Sequence, residues 1–380
     1  MLATIEGIDA IAGIGGNAGH LDEAPSLRQL LPALDHFELD LRHAPSRLLR
    51  LCVHKVARGN ERERIKAMTR KAHFGATIPQ IKRPWVAAAE SARAFEAQGY
   101  DSLWVCDHLY GPQSPQLPIL EAWSMISALA AITEKVELGT LVTPAGMRNP
   151  AQLGKTIATA DNIAGGRVIA GLGGGWMPRE FTDFGMPFLG TGDRLKQLAE
   201  TVTLLKRMWA EDEDEISFKG EFVEADNVVC QPKPPRKVPI LIGGAGEKVT
   251  LAITAREADI WNNLAGHQAA LAHKVDVLKH HCDAIGRDFD DIVVSQQCLV
   301  TIAPNEETLG PMADRAQKIF GGHMGDPKGP LAITGTPDRC VEQIQKHIDL
   351  GCTMFVMEFF GKDTIEPAQL FAEEVAVHFA

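Results

Sequence analysis

The sequence predicts a (β/α)8 TIM barrel, in which eight parallel strands are each followed by a helix. Three observations predict it. From Lys71 onward, apolar runs of strand length alternate with amphipathic helical runs; eight such strands follow one another; and the densest glycine cluster ends a strand instead of opening a helix. A doubly wound sheet is the competing architecture, but it seldom needs so many units in one domain.

The elements follow in order. AHFGATIP reads as a strand and WVAAAESARAFEAQG as a helix; SLWVCDH and LEAWSMISALAAIT repeat the pair. VELGTLVTP is the third strand, with QLGKTIATADNIA after it, and RVIAGLGGG is the fourth, with RLKQLAETVTLLKRMWA after it. VPILIGG and EKVTLAITARE, then ADIWNN and the helix around LAHKVDVLKHHCDAIG, make two more units. DIVVSQQCLVTIA is the seventh strand, PDRCVEQIQKHIDLG a helix and TMFVMEFF the last strand. Thr336 before Pro337 and Asp338 predicts a helix start with a side-chain cap.

Two stretches exceed a minimal barrel. Residues 211–239 carry the acidic run EDEDE, a hairpin in ISFKGEFVEADNV and the stiff QPKPPRKVP; residues 304–334 form an insertion between strands 7 and 8. The acidic run reads as a solvated loop, because adjacent carboxylates repel and lack metal-ligand spacing. The first 67 residues differ in composition: residues 41–67 hold eight basic residues against two acidic ones, and GIGGNAG before them is loop-like. Residues 1–67 are therefore expected to be a poorly packed N-terminal extension, with an oligomerisation arm as the rival reading, and residues 68–380 the barrel domain.

Composition narrows function. A formal charge of −11 argues against a nucleic-acid or anionic-membrane surface, since either needs a basic face. No apolar run reaches the length of a membrane span, and no basic region precedes an apolar one at the N-terminus. Seven cysteines without a C-x-x-C pair read as reduced thiols of a cytoplasmic protein.

Residues 167–181, RVIAGLGGGWMPREF, hold the glycine cluster. A dinucleotide fingerprint needs G-x-G-x-x-G opening into a helix, but the sixth position is Trp176 counted from Gly171 and Pro178 counted from Gly173. The next helix is expected only near Asp193. In a barrel these glycines end the fourth strand, where they let a flat ligand lie against backbone, or serve simply as a turn. VPILIGGAGEKVTLAI is more phosphate-like, since Gly243, Gly244 and Gly246 run from a strand into a helix near Lys248. Asp107 and His108 end the second strand, where a carboxylate beside an imidazole can orient a cofactor and move a proton, or form an ordinary hydrogen-bonded pair. The remaining histidines lack ligand spacing, so no metal site is assigned.

Together, GYDSLWVCDHL, LGTLVTPAGMRNP, GGRVIAGLGGGWMPREF, PILIGGAGEKVTLAI, EADIWNN and GTPDRCVEQIQ resemble the luciferase-like monooxygenase superfamily. Within it they resemble the oxidoreductases that use the deazaflavin coenzyme F420. The resemblance runs from His73 to Glu374 and includes the insertion between strands 7 and 8; nothing before Met68 shares it. It implies a luciferase-like barrel whose Asp107 contacts the cofactor and whose His108 lies near the position of hydride transfer. Thr140 and Leu141 match the pair at which relatives carry a non-prolyl cis peptide against the ring. Gly173, Gly174 and Gly175 would line the ring and tail path, with Trp176 and Arg179 beside it, and Gly243 and Gly244 would bind the phosphate. Sugar-phosphate dehydrogenases of the group have an acidic residue where this chain has Trp176, which implies a more apolar substrate face; the nearest carboxylate is Glu180. Arg179 and Arg148 are candidate counter-charges for an anionic cofactor, Arg148 also being placed to flank a helix. The expected function is hydride transfer between F420 and a small organic substrate, in a protein that is a candidate homodimer. The alternatives are an FMN-dependent monooxygenase and a barrel that binds a flavin or deazaflavin without catalysis.

Overall fold

The computed structural model describes residues 72–111, 114–321 and 324–379. The expectations for residues 1–67 lie outside the described residues. Eight parallel strands close into a barrel: β1 (His73–Thr77), β2 (Ser102–Val105), β3 (Glu137–Thr140), β5 (Val168–Gly173), β8 (Ile240–Gly243), β9 (Ile260–Asn263), β10 (Val293–Ile302) and β12 (Met354–Phe359). Pairing of β12 with β1 and of β9 with β10 completes the ring, so no barrel strand presents an open edge. The main helices between them are α1 (Trp85–Ala97), α2 (Ala122–Ala130), α3 (Pro150–Ala164), α5 (Thr191–Trp209), α6 (Thr250–Glu257), α7 (Leu271–Ile285) and α9 (Pro337–Asp349), with α10 (Ile365–Glu374) after β12.

Strand alternation builds two apolar layers. Outward residues such as Phe74, Leu103, Leu138, Ala170, Ile242 and Met357 meet the helices in the main core. Inward ones, Trp104, Ile169, Leu241, Ile260, Met354 and Val356, fill the barrel with Leu141, Val142 and Val293 against them. Trp104 is fully buried, and its neighbours explain why. A Cβ at Gly75 would stand 2.4 Å from its indole nitrogen, and one at Gly139 would stand 2.3 Å from its ring, so only glycine on both flanking strands admits the indole.

The additions also take shape. β6 (Ile216–Lys219) and β7 (Glu224–Val228) form an antiparallel hairpin, and the acidic run before it is largely exposed, apart from Glu213 paired with Arg207 at 2.6 Å. The insertion between the seventh and eighth barrel strands contains α8 (Glu306–Phe320) and β11 (Ile333–Gly335), which extends the sheet beside β10.

Three expectations change. α9 starts at Pro337, but Thr336 makes no side-chain cap; its carbonyl takes the Cys340 amide at 3.0 Å instead. A short helix, α4 (Pro178–Thr182), follows the fourth-strand glycines well before α5, because five residues are too few to show a helical period. The cis peptide joins Leu141 to Val142, one position beyond the Thr140-Leu141 pair. The Leu141 amide still donates to the Val105 carbonyl at 2.8 Å, so the chain leaves the β2–β3 ladder only after Leu141. Beyond the cis bond, β4 (Thr143–Pro144) pairs with the end of β5.

Candidate active site

All barrel strands run the same way, so their C-terminal ends gather at one mouth, the face on which such barrels carry chemistry. Asp107 and His108 follow β2 there. Asp107 is 1% exposed, and Arg148 grips it bidentately: Nη1 donates to Oδ2 at 2.7 Å and Nη2 to Oδ1 at 2.9 Å. The Thr143 hydroxyl adds a 2.7 Å bond to Oδ2. Arg148 Nη2 also donates to Glu121 Oε1 at 2.5 Å. Sequence positions this network through helix starts: Glu121 caps α2 by accepting from the Trp123 and Ser124 amides, and Asn149 caps α3 with Pro150 at its first position. Burial works against the charge on Arg148, but Asp107 and Glu121 outweigh it and raise the guanidinium pKa. Burial likewise pushes the Asp107 carboxyl up, with Arg148 and Thr143 opposing. Arg148 thus has two carboxylate partners of its own, and Asp107 is an anchored ion pair.

His108 is held differently. Its Nδ1 lies 3.0 and 2.9 Å from the two Glu180 oxygens. Glu180, on α4, is 1% exposed and also accepts the Leu109 amide at 2.7 Å and the Tyr110 amide at 3.2 Å. With Glu180 as the acceptor, this contact puts the proton on Nδ1 and leaves Nε2 without a partner among the described residues. Trp176 stands edge-on to the imidazole with centroids 5.7 Å apart, an exposed aromatic wall beside it. Arg179 is exposed and pairs with Asp183 at 2.9 Å.

Cys106, beside Asp107, is no nucleophile. Burial first, and then the charges of Glu358, Asp107 and Glu180, push its thiol pKa up to about 12.

The glycines surround Val142, the residue that the cis peptide delivers. A Cβ on Gly173 would stand 2.6 Å from one Val142 methyl, and a Cβ on Gly243 would stand 2.8 Å from the other. Glycine at both positions leaves the ends of β5 and β8 as bare backbone around one small apolar side chain. Gly175 (φ +75) and Gly244 (φ +147) adopt conformations that L side chains rarely take. Thr140 is buried, with its hydroxyl on the Gly171 carbonyl at 2.9 Å; Leu141 packs with the barrel interior. Gly174 carries its carbonyl to Arg194 Nε at 3.2 Å. Gly243 and Gly244 lead from β8 toward α6 through an exposed turn that holds Glu247 as well as Lys248. Opposite Gly243 in the ladder, Asn262 keeps a buried amide nitrogen without a partner among the described residues.

The structure therefore gathers Asp107, His108 and Trp176 about one mouth and sets Gly173 and Gly243 about Val142. Sequence reasoning gave no role to Glu121, Thr143, Val142 or Glu358, and named Glu180 only by its proximity. Strand parity in TMFVMEFF was the available signal for Glu358; for Glu180 no local signal exists, since its partner lies 72 residues away.

Comparison with known proteins places the chain. Residues 66–324 match the family model described as luciferase-like monooxygenase. An uncharacterized protein of Mycobacterium tuberculosis (strain ATCC 25618 / H37Rv) is 30% identical over 233 residues, covering 57% of this chain and 80% of the relative. An F420-dependent glucose-6-phosphate dehydrogenase of Microbacterium testaceum is 26% identical over 308 residues, covering 74% and 89%. Among solved structures, an F420-dependent secondary alcohol dehydrogenase in complex with an F420-acetone adduct superposes with a TM-score of 0.69 at 20% identity, covering 80% of this chain and 98% of that one. With the closed barrel and a family match across most of its described residues, this chain belongs to the luciferase-like monooxygenase family.

Proposed function

We propose that the chain is an F420-dependent oxidoreductase that moves a hydride between the deazaflavin and a small organic substrate. The observation that carries this reading is His108, fixed through Nδ1 by the buried Glu180 with Nε2 left for chemistry. The F420-dependent dehydrogenase similar to it over most of both chains supports the choice of cofactor.

The residues present fit such a group. Gly173 and Gly243, cleared of side chains around Val142, offer a flat apolar floor, and the unmet Asn262 amide offers a donor at the same end of the barrel. Gly174, Gly175 and Trp176 would flank the ring. Gly243 and Gly244 would hold the phosphate, and Arg179 would lie along the path of the anionic tail. When bound, the deazaflavin supplies hydride transfer. His108 orients the substrate and exchanges a proton with it through Nε2. Trp176 gives that substrate an apolar wall where sugar-phosphate enzymes have an acid, which favours a small alcohol, carbonyl compound or activated alkene. A cytoplasmic homodimer belongs to the same proposal.

The decisive experiment is a pair of equilibrium titrations of the purified protein, one with F420 and one with FMN, followed by ligand fluorescence. Preferential F420 binding is the expected result. Preferential FMN binding, with oxygen uptake in the presence of reduced FMN, would replace this reading with a monooxygenase. Tight F420 binding without turnover on any carbonyl, alcohol or alkene tried would point to a carrier.

The glycine floor gives a second expectation. Gly173→Ala forces a methyl against Val142, and F420 affinity is expected to fall about tenfold or more, the equivalent of roughly 1.4 kcal/mol. Adding Val142→Ala should restore part of that loss, since paired residues in contact couple. Equal affinity in wild type and Gly173→Ala would remove Gly173 from the cofactor site.

A further inference from the structure

Glu358 is a titratable group at the barrel mouth that the preceding account leaves unused. It lies near the C-terminal end of β12, whose inward residues Met354 and Val356 fill the barrel. Period-two alternation turns Glu358 inward as well, above Val356. Its Cα partner on β10 is Leu299, and the β1 register, with Ala76 opposite Met357, brings Thr77 beside it. These flanking residues and Gln297 of β10 are uncharged. Among the described residues the titratable group tied to it is Cys106, on which its charge acts; no charged neighbour contributes to the shift of Glu358 itself.

The three carboxylates differ in what holds them. Asp107 has Arg148, and Glu180 has His108 and two backbone amides. Glu358 is half-buried, and no hydrogen bond or ion pair from another described residue reaches it. Burial alone pushes its carboxyl up to about 7. A structural carboxylate would have a partner, and a solvated one would not be shifted so far.

We propose that Glu358 is the second proton-exchanging group of the active site, working across the mouth from His108. The proposal rests on the hydride-transfer reading above, because reduction by a two-hydrogen carrier moves two protons through protein groups. When bound, the deazaflavin would accept the hydride that leaves a carbon of the substrate. His108 Nε2 would take the proton that leaves the neighbouring hydroxyl or carbon, and the neutral Glu358 carboxyl would give its proton to the carrier as it is reduced. The reducing direction reverses each move, and solvent at the mouth resets both groups. Separate acid and base roles within one site arise where environments differ between two groups, and burial sets Glu358 apart here.

The test compares wild type with Glu358→Gln and Glu358→Asp. First, stability against denaturant is followed from pH 4.5 to 8. A carboxyl raised by folding makes the native state bind more protons than the unfolded chain between 4.5 and about 7, so native stability falls as pH rises through that window. The wild-type folding equilibrium constant is expected to drop about 100-fold relative to Glu358→Gln across it. Second, calorimetric titration with F420 at pH 7 in two buffers of different ionisation enthalpy counts protons. Filling the mouth with an anion drives Glu358 neutral, so wild type should take up about half a proton and Glu358→Gln almost none. Third, kcat against pH on the best substrate from the screen should lose one limb and at least tenfold in Glu358→Gln, with partial recovery in Glu358→Asp. Identical proton uptake and identical pH profiles in wild type and Glu358→Gln overturn the role of Glu358 alone. Failure of wild type to bind F420 overturns the cofactor reading and this role with it.

Discussion

Replacing His108 by alanine is expected to lower kcat by about two to four orders of magnitude while changing F420 affinity less than threefold, the range that loss of a positioned proton-transfer group produces. The asymmetry follows from how the imidazole is held. Glu180 occupies Nδ1 with both oxygens, so what the ring contributes beyond packing is Nε2. The residues proposed as the cofactor floor, Gly173 and Gly243 around Val142, crowd one another and not the imidazole. Stopped-flow hydride transfer and equilibrium titration on the same preparation measure the two quantities. Glu180→Gln should fall between the two, because the amide keeps a hydrogen bond but no longer stabilises a positive imidazolium. Should His108→Ala turn over like wild type, the histidine has no part in the chemistry.

The second large effect is on stability. Asp107→Ala is expected to cost about 2 to 4 kcal/mol, because removing one partner of a buried ion pair strands the other. Arg148, with its side chain 19% exposed, would keep only Glu121. Both tie β2 to the start of α3, so the loosened network also reaches Thr143 just beyond the cis peptide. F420 affinity should weaken as a consequence of that loosening. Arg148→Met in the same chain should recover much of the stability, since a pair replaced by apolar bulk costs far less than a broken pair. Denaturant midpoints of the single and double variants check this; a single variant within about 0.5 kcal/mol of wild type would show that the pair contributes little.

Much of the site was legible as composition at strand ends. Asp107 and His108 were legible as a carboxylate beside an imidazole at a strand end, a pattern that also fits an ordinary hydrogen-bonded pair. The fourth-strand glycines stood out by their density and failed the dinucleotide spacing, and Gly243, Gly244 and Gly246 stood out as a strand-to-helix turn suited to an anion. Their partners were not legible. Glu180 meets His108 across 72 residues, and Arg148 meets Asp107 across 41, so only the closed barrel brings them together. The assignment of Arg148 as a cofactor counter-charge is weakened for that reason: a guanidinium already shared by two carboxylates has little charge to offer.

By itself the sequence determined the barrel. Its eight strands and the helices that follow them are written in periods of two and near four, which depend only on which residues must leave water. It also determined which strand ends bear glycine and which bear charge. What only the tertiary structure decided is the state of each charge. Asp107, Glu180 and Glu358 are the same functional group in sequence, yet one is an anchored ion pair, one an orienting acceptor and one an acid without a partner among the described residues, its carboxyl pushed up to about 7. A carboxylate's behaviour is set by its desolvation and by the donors within about 3 Å of it, and those come from distant parts of the chain.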